Sequence, residues 1–592
     1  MATSAALENK PPRAFSFSLL SGLDCDKHLQ GLLLTLVLAV LTMAVVLPLV
    51  QVIWKSLSDG SGNWVALGNY KAYFASPALW TSIKNSLFIS CATTLLVIPA
   101  AFAYAYGLTR TLMRGRGVLF ALALVPMLAP TLLNGLVLVY LFGRQGLVTR
   151  GLFGLLPGLD IELYGPVGVI LAEAVYTFPQ AVVILATSLR LSDGQLADAA
   201  KSMGVSPLRF FWNVTLPAVK YGLASAAVLC FILAFTDFGA PKIVGASYNL
   251  LATDIYKQVI GQQNFSMGSV VSVILLFPVV AAFLIDHLAR KGQSAQLGGR
   301  SKPFSPRPSR LRDSIFSAYC WFIGALMFCF FSAAALASLV KVWPYELSLG
   351  LAHYTFSGVG GGGYAALWGS LKMAAWSAFF GTIFCFTSAY LVEKSKGLAC
   401  LRKAASLLAL LPMALPGMVI GFAYIFFFNS PTWSLGPLKI PNPCNALYGS
   451  LFILVLCNTI HFFTVGFFTA TTALKQLDKE FETVSYVLGV PFWVTFKRVT
   501  VAVCAPAILE IFFFFFVNSM TTVSAVIFLY NADLPLASVA IANMDDAGDL
   551  APACAMGVLI MLINLGMRLL KSAFACCLSK KNGRWLAASQ AA

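Results

Sequence analysis

The chain has 592 residues, of which 59% are hydrophobic and only 11% are charged, and its mean hydropathy is +0.82. This composition excludes a soluble globular protein and indicates that lipid is the main solvent. The net charge of +17 is spread over many loops rather than concentrated in one basic patch, so we expect membrane lipid as a partner and no nucleic acid.

Apolar runs long enough to cross a membrane recur along the whole chain. A helix of about 20 mainly apolar residues spans the hydrocarbon core. In the first half such runs lie at 31–54, 83–106, 118–142, 167–189, 220–240 and 267–289. In the second half they lie at 315–340, 370–392, 404–428, 447–470, 505–528 and 553–575. The sequence therefore predicts an all-α membrane protein with twelve transmembrane helices.

The positions of the cations predict the orientation in the membrane. Lys and Arg residues close to helix ends are retained on the cytoplasmic side. With the N-terminus inside, 30 of the 40 Lys and Arg residues fall in cytoplasmic loops and tails. We therefore expect a multi-pass protein of the cell inner membrane with both termini in the cytoplasm.

A stretch rich in Gly, Ser, Pro and Arg divides the chain into halves of similar length. The predicted division is a cytoplasmic tail at 1–30, a first six-helix domain at 31–289, a basic cytoplasmic linker at 290–314, a second six-helix domain at 315–575 and a cytoplasmic tail at 576–592.

The two halves repeat each other at a nearly constant offset. The sequence Val-Pro-Met-Leu-Ala-Pro at 125–130 matches Leu-Pro-Met-Ala-Leu-Pro at 411–416, and Gly135 matches Gly421. Because each half has an even number of helices, both copies enter the membrane from the same side and are related by an axis along the membrane normal. Two such parallel repeats can enclose a pathway between them. The paired prolines predict a kink, since each removes a backbone hydrogen-bond donor.

Two cytoplasmic loops, which follow the fourth helix of each half, share a helix-turn-helix pattern. We predict short amphipathic helices at 193–203 and 478–488, ended by Gly204 and Gly489, with a proline starting the next helix. One such helix in each half suggests docking surfaces for a pair of identical soluble partners. The alternative is that both helices merely pack against the bundle.

The first loop resembles the loop through which permeases of ABC importers contact their ATP-binding subunit. The resemblance rests on Asp198, Ala199, Ala200, Gly204, Leu216 and Pro217, with Asp where the family has Glu. The second loop departs from the pattern, and only Glu482 and Gly489 are carried over as coupling residues. The resemblance implies the type I importer permease fold, two copies of an ATP-binding subunit and a periplasmic substrate-binding protein as partners.

The chain itself lacks the features of an ATPase. A phosphate-binding loop of the P-loop type needs a Gly-Lys dipeptide, and none occurs in the sequence. We therefore expect no catalytic residue, no metal site and no cofactor in this chain, with ATP and Mg²⁺ used by the partner subunit.

The nature of the solute follows only from resemblance. Fused, double-length permeases of this kind serve ferric iron, thiamine, polyamines and phosphonates. The segments 516–526, 536–540 and 543–549 resemble those of 2-aminoethylphosphonate permeases, whereas 235–241 is similar to both the iron and the phosphonate branches. The resemblance implies import of 2-aminoethylphosphonate from periplasm to cytoplasm, with ferric iron, thiamine and polyamines as alternatives.

Two other classes of protein compete with the importer interpretation. A secondary transporter of the major facilitator type also has twelve helices in two parallel halves, but the loop at 110–117 lacks the Asp of that family's motif. A membrane-embedded enzyme would need clustered His, Asp or Glu residues, and the chain contains four histidines in all. Neither class explains the paired loops.

Polar residues inside the apolar runs are candidates for the substrate pathway. Such groups are costly at membrane depth and usually face a cavity or a partner. The alternative for each is an interhelical hydrogen bond that stabilises the bundle. The candidates are Glu173, Tyr176, Asp237, Asn458, His461, Asn518 and Thr521.

Overall fold

The structure, a computed structural model, describes residues 16–151, 157–158, 161–191, 194–294, 304, 306, 308–395, 397–435, 438–478 and 480–591. In the first half the helices are Ser16–Leu41, Leu47–Ser56, Gly68–Ala75, Pro77–Arg110, Arg116–Ala123, Thr131–Phe142, Pro166–Leu191, Gly194–Ser202, Pro207–Phe210, Leu216–Thr236, Gly239–Val244, Leu251–Tyr256 and Phe265–Ser294. In the second half they are Arg310–Leu339, Gly363–Lys394, Ala399–Leu410, Gly417–Phe428, Leu451–Gln476, Glu480–Val487, Phe492–Thr495, Val501–Val503, Ala505–Thr521, Ala537–Ala547 and Leu550–Ala591.

The few strands form two small antiparallel hairpins. Val340–Val342 pairs with Glu346–Leu349, and Thr432–Leu435 pairs with Leu438–Pro441. Both hairpins lie in connections between apolar helices, so the membrane part of the described chain is helical. The predicted all-α membrane fold is confirmed.

Most of the predicted membrane segments are continuous helices. Within the described ranges, nine helices are long and apolar enough to cross a membrane. Two further segments are bent pairs: Ala399–Ala414 meets Gly417–Phe428 at 110°, and Phe492–Val503 meets Ala505–Thr521 at 77°. The remaining predicted segment, 118–142, contains the 12-residue apolar helix Thr131–Phe142. Two of the twelve predicted segments, the third and the ninth, are thus interrupted, and the eleventh is bent where it begins.

Proline explains where the third and ninth segments break. In each, a short 3-10 turn, Val125–Leu128 or Leu411–Ala414, separates the two helical parts. Pro130 and Pro416 then adopt extended backbone conformations as the residues that precede the next helix. Because proline cannot donate a backbone hydrogen bond, and because these two prolines adopt extended conformations, the helix is interrupted at these positions. The predicted kink is confirmed.

The internal repeat also appears in local irregularities of the two halves. A π-helical turn follows each short cytoplasmic helix, at Phe211–Thr215 in the first half and at Phe496–Thr500 in the second. The two turns are separated by 285 residues, as are Gly204 and Gly489. Equivalent positions therefore share both sequence and backbone geometry.

The first helix of each half packs against the other half. Tyr424 of the ninth segment donates a hydrogen bond to the carbonyl of Ala44 in the first segment, at 2.9 Å. Tyr319 of the seventh segment donates to the carbonyl of Ala100 in the second segment, also at 2.9 Å. This exchange joins the halves and leaves their inner helices facing one another around a central space.

Candidate functional site

A polar cavity of about 120 Å³ lies between the two halves. It is bounded by the fourth and tenth segments and by the ends of the fifth and eleventh. Five of the seven predicted pathway residues line it: Tyr176, Asp237, His461, Asn518 and Thr521. The folded chain thus brings together residues that are up to 345 positions apart in the sequence.

The two other predicted pathway residues, Glu173 and Asn458, are fully buried one helical turn before lining residues. Glu173 precedes Tyr176 by three positions, and Asn458 precedes His461 by three, so each pair shares one helix face. Glu173 and Asn458 are separated by 285 residues, and so are Tyr176 and His461. The same two positions of the repeat therefore carry an acid and a phenol in one half and an amide and an imidazole in the other.

The acidic side of the cavity is built around Asp237, which follows the end of the fifth segment. Its carboxylate accepts a hydrogen bond from the backbone N–H of Ala240 at 2.9 Å and another from the Thr131 side chain. The carboxyl of Glu173 lies next to it, within hydrogen-bonding reach. The first half thus presents one carboxyl group at the cavity, with a second carboxyl group buried behind it.

The second half presents neutral groups to the same cavity. Asn518 donates one amide hydrogen to the carbonyl of Phe514 in its own helix at 2.8 Å, and the Thr521 hydroxyl bonds the carbonyl of Val517 at 3.2 Å. The amide of Asn458 and Nδ1 of His461 are buried without a hydrogen-bond partner among the described residues. The interhelical hydrogen bonds considered as an alternative are therefore not observed for Asn458.

The two predicted cytoplasmic helices are present as Gly194–Ser202 and Glu480–Val487. Gly204 has φ +68° and Gly489 has φ +64°, so the predicted left-handed terminators are confirmed. In the first loop Asp198, Ala199 and Pro217 are exposed, Leu216 is half-buried and Ala200 is buried.

Both loops expose apolar side chains at the same end of the helical bundle. In the first loop Leu196 is 55% exposed and Met203 is 74% exposed. In the second loop Phe481, Val484 and Leu488 are also exposed. Apolar side chains on a polar aqueous face are typical of a surface that a protein partner covers.

The second loop is attached to the bundle by polar contacts. Glu482 forms an ion pair with Lys394 at 2.9 Å, and both side chains are largely buried. The carboxylate of Asp26, in the first helix, accepts a hydrogen bond from the backbone N–H of Phe492 at 2.9 Å. Glu482 therefore contacts the eighth segment, and an effect of this residue on coupling would pass through that ion pair.

An ion pair between the halves was not anticipated from the sequence. Lys242, in the short helix after the fifth segment, pairs with Asp546, in the helix after the eleventh.

Burial raises the pKa of the neighbouring Asp545 carboxyl to about 6, while Lys242 lowers this pKa and Asp546 raises it. The charge state of this group therefore changes as the pH falls toward 6. The two consecutive acids at 545–546 could have indicated a charged contact. The sequence could not show that the partner of Asp546 is Lys242, which lies 304 positions away.

Comparison with known proteins agrees with this geometry. Residues 98–292 match the family described as the inner membrane component of binding-protein-dependent transport systems. The repeated helical halves, the polar cavity between them and the paired short helices agree with the permease fold that the sequence resembles. The chain is thus a multi-pass helical membrane protein that is similar to the permease subunits of ABC importers.

Some relatives that match most of the chain are ferric permeases. The chain is 25% identical over 561 residues to the ferric transport system permease protein FbpB of Actinobacillus pleuropneumoniae, which covers 93% of this chain and 79% of that protein. It is 21% identical over 554 residues to the Fe(3+)-transport system permease protein FbpB 2 of Haemophilus influenzae, and the match covers 90% of this chain and 96% of that protein. It is also 29% identical over 216 residues to the molybdenum transport system permease protein ModB of Mycobacterium tuberculosis, and this match covers 36% of this chain and 80% of that protein.

Proposed function

We propose that this chain is the channel-forming subunit of an importer that moves 2-aminoethylphosphonate from the periplasm to the cytoplasm. A periplasmic binding protein delivers the solute, and two copies of a separate ATP-binding subunit hydrolyse ATP with Mg²⁺. The observation that carries the choice of solute is the division of the central cavity into an acidic first-half side and a neutral, hydrogen-bonding second-half side.

This division fits a small zwitterion. An ammonium group is stabilised by a carboxylate such as that of Asp237 and by the face of an aromatic ring such as that of Tyr176. A phosphonate oxygen accepts hydrogen bonds from N–H and O–H donors. On the opposite side of the cavity, Asn518 has a second amide hydrogen for this purpose, and Thr521 can exchange its bond to the Val517 carbonyl for one to the phosphonate. The two ends of 2-aminoethylphosphonate therefore match the two sides of the cavity.

The transport step follows from two-state coupling. When ATP binding closes the two ATPase subunits, the exposed helices Gly194–Ser202 and Glu480–Val487 are drawn together. Because each helix is continuous with its own half through a glycine turn, the halves rotate relative to each other. The cavity then opens outward to receive the solute, and it opens inward again after hydrolysis.

Deletion of the gene in its native host should abolish uptake of radiolabelled 2-aminoethylphosphonate and leave ferric iron uptake unchanged. Growth with 2-aminoethylphosphonate as the only phosphorus source gives the same information. Restoration of uptake by the intact gene is the control. The ferric relatives, which match almost the whole chain, make ferric iron the second candidate. Loss of iron uptake with normal phosphonate uptake would replace the first solute by the second.

The assembled transporter should contain one copy of this chain and two ATPase chains, because one chain supplies both docking loops. Native mass spectrometry of the purified complex measures this ratio. Substitution of Phe481 and Val484 by Asp, which makes the exposed face of the second helix polar, should leave a complex with a single ATPase chain. A wild-type complex with one ATPase chain and full ATP turnover would contradict the proposal.

A further inference from the structure

We propose that Asp237 and Glu173 together form a subsite for an alkylammonium group, with Asp237 in contact with the amine and Glu173 as the positioning residue behind it. This proposal rests on the proposed function, because the amine belongs to the transported solute. It adds the orientation of the solute in the cavity, with the amine toward the first half, and a distinct role for each carboxyl group.

The first argument is the hydrogen bonding of the two carboxyls. Glu173 is fully buried, and within the described part of the chain neither of its carboxylate oxygens accepts a hydrogen bond. Its polar neighbour is Asp237, which is also an acceptor when ionised. A buried carboxylate without a donor is costly, and two neighbouring carboxylates repel each other. One proton shared between the two groups removes both costs.

The shared proton leaves the pair with one negative charge at the cavity. Asp237 holds that charge, because the Ala240 N–H and the Thr131 side chain both donate to it. Glu173, as the neutral acid, donates its proton to Asp237 and fixes the orientation of that carboxylate. Since Asp237 lines the cavity and Glu173 does not, the charge faces the solute.

The surroundings indicate that the partner of this charge is a cationic ligand. The groups that act most strongly on Asp237 are the two donors, the backbone of Phe238 and Glu173, and none of these groups is a cation. Tyr176 lines the cavity on the helix that carries Glu173, so that an aromatic ring borders the same space. A primary ammonium, with three donors and a positive charge, matches a carboxylate beside an aromatic ring.

The internal repeat shows that packing does not require the acids. The position equivalent to Glu173 is Asn458, which is equally buried, and the position equivalent to Asp237 is Thr522, which is also buried. The same fold thus accommodates a neutral amide and a hydroxyl at these places. The acid pair therefore serves the first-half side of the cavity, and the ammonium end of the solute is directed there.

A labelling experiment on the purified permease with its ATPase tests the subsite without reference to the natural solute. In a Val517→Cys background, which places a thiol in the cavity wall, the rate of maleimide labelling at position 517 is followed by peptide mass spectrometry. Ethylammonium chloride should slow this labelling about tenfold, whereas ethanol, its neutral counterpart, and sodium chloride should not.

Three substitutions in this background separate the roles. Asp237→Asn should remove protection by ethylammonium. Glu173→Gln should keep it within about threefold of the parent, because an amide donates a hydrogen bond to Asp237 as the neutral acid does. Glu173→Leu should weaken it, because the donor is lost. Glu510→Gln is the matched control. The Glu510 carboxylate forms an ion pair with Lys571 at a distance of 2.5 Å, and neither residue lines the cavity, so protection should be unchanged.

The outcomes distinguish this proposal from the proposed function. Equal protection in the parent and in Asp237→Asn, or no protection by ethylammonium in the parent, overturns the subsite even if 2-aminoethylphosphonate is transported. Protection that depends on Asp237 together with absent 2-aminoethylphosphonate uptake supports the subsite and rejects that solute. Protection lost equally in Glu173→Gln and Asp237→Asn would show that both carboxyls carry charge, which contradicts the roles assigned to them.

Discussion

Replacement of Gly204 by Val should abolish transport while the protein remains folded and inserted in the membrane. Gly204 ends the first cytoplasmic helix with φ +68°, and a side chain in this left-handed conformation costs about 1–2 kcal/mol. An added Cβ meets no atom within 4 Å, so no packing is lost. Relief of the strain changes the direction of the docking helix, and the contact with the ATPase weakens.

Solute uptake and solute-stimulated ATP hydrolysis measure this effect, and expression and thermal unfolding in detergent measure the fold. Gly204→Asn is the matched control, because Asn tolerates the left-handed conformation better than other residues, and it should retain most of the transport. Gly489→Val should resemble Gly204→Val with a smaller effect, since the second loop is also fixed by Glu482 and Lys394. Normal transport by Gly204→Val would show that this loop is ordinary packing.

Replacement of Gly421 by Val should act on the fold instead and prevent accumulation of folded protein. Gly421 lies in the buried helix Gly417–Phe428, and an added Cβ would be 2.4 Å from the carbonyl oxygen of Ala525. A backbone oxygen cannot rotate away as a side chain can, so the two segments must separate. Overpacking of this kind typically costs about 1–3 kcal/mol, and more where the obstacle is backbone.

The amount of monodisperse protein and its unfolding temperature in detergent measure the effect of Gly421→Val. Gly566→Val makes the same chemical change in the last helix, where an added Cβ meets no atom within 4 Å, and this control should accumulate normally. At the equivalent Gly135 the nearest atoms belong to the side chain of Ile243, so Gly135→Val should be milder. Wild-type stability of Gly421→Val would mean that the ninth and eleventh segments are not held this closely.

The two glycines show what local sequence can reveal. Gly204 was identified as a helix terminator because the signal, an apolar periodicity followed by glycine and a restarting proline, lies within about a dozen consecutive residues. Gly421 was recognised only as a repeated position. The obstacle that makes glycine necessary there comes from Ala525, on a different segment.

The pathway residues show the same limit. Burial cost alone marked Glu173, Asp237 and five others as polar groups inside apolar runs. That Glu173 and Asp237 are neighbours, whereas Glu482 pairs with Lys394 and Lys242 with Asp546, depends on how separate helices cross. Three of the segments are also interrupted or bent rather than straight, which hydropathy does not report.

The sequence by itself determined the membrane class, the order of the apolar segments, the internal repeat and the glycine turns that end the two short helices. These features follow from composition, from hydrophobic run length and from backbone chemistry, which act over short stretches of chain. The tertiary structure decided that the halves exchange their first helices, that the cavity has an acidic and a neutral side, and which charges meet. Such contacts join side chains hundreds of residues apart, and only the packing of whole helices against each other brings them within reach.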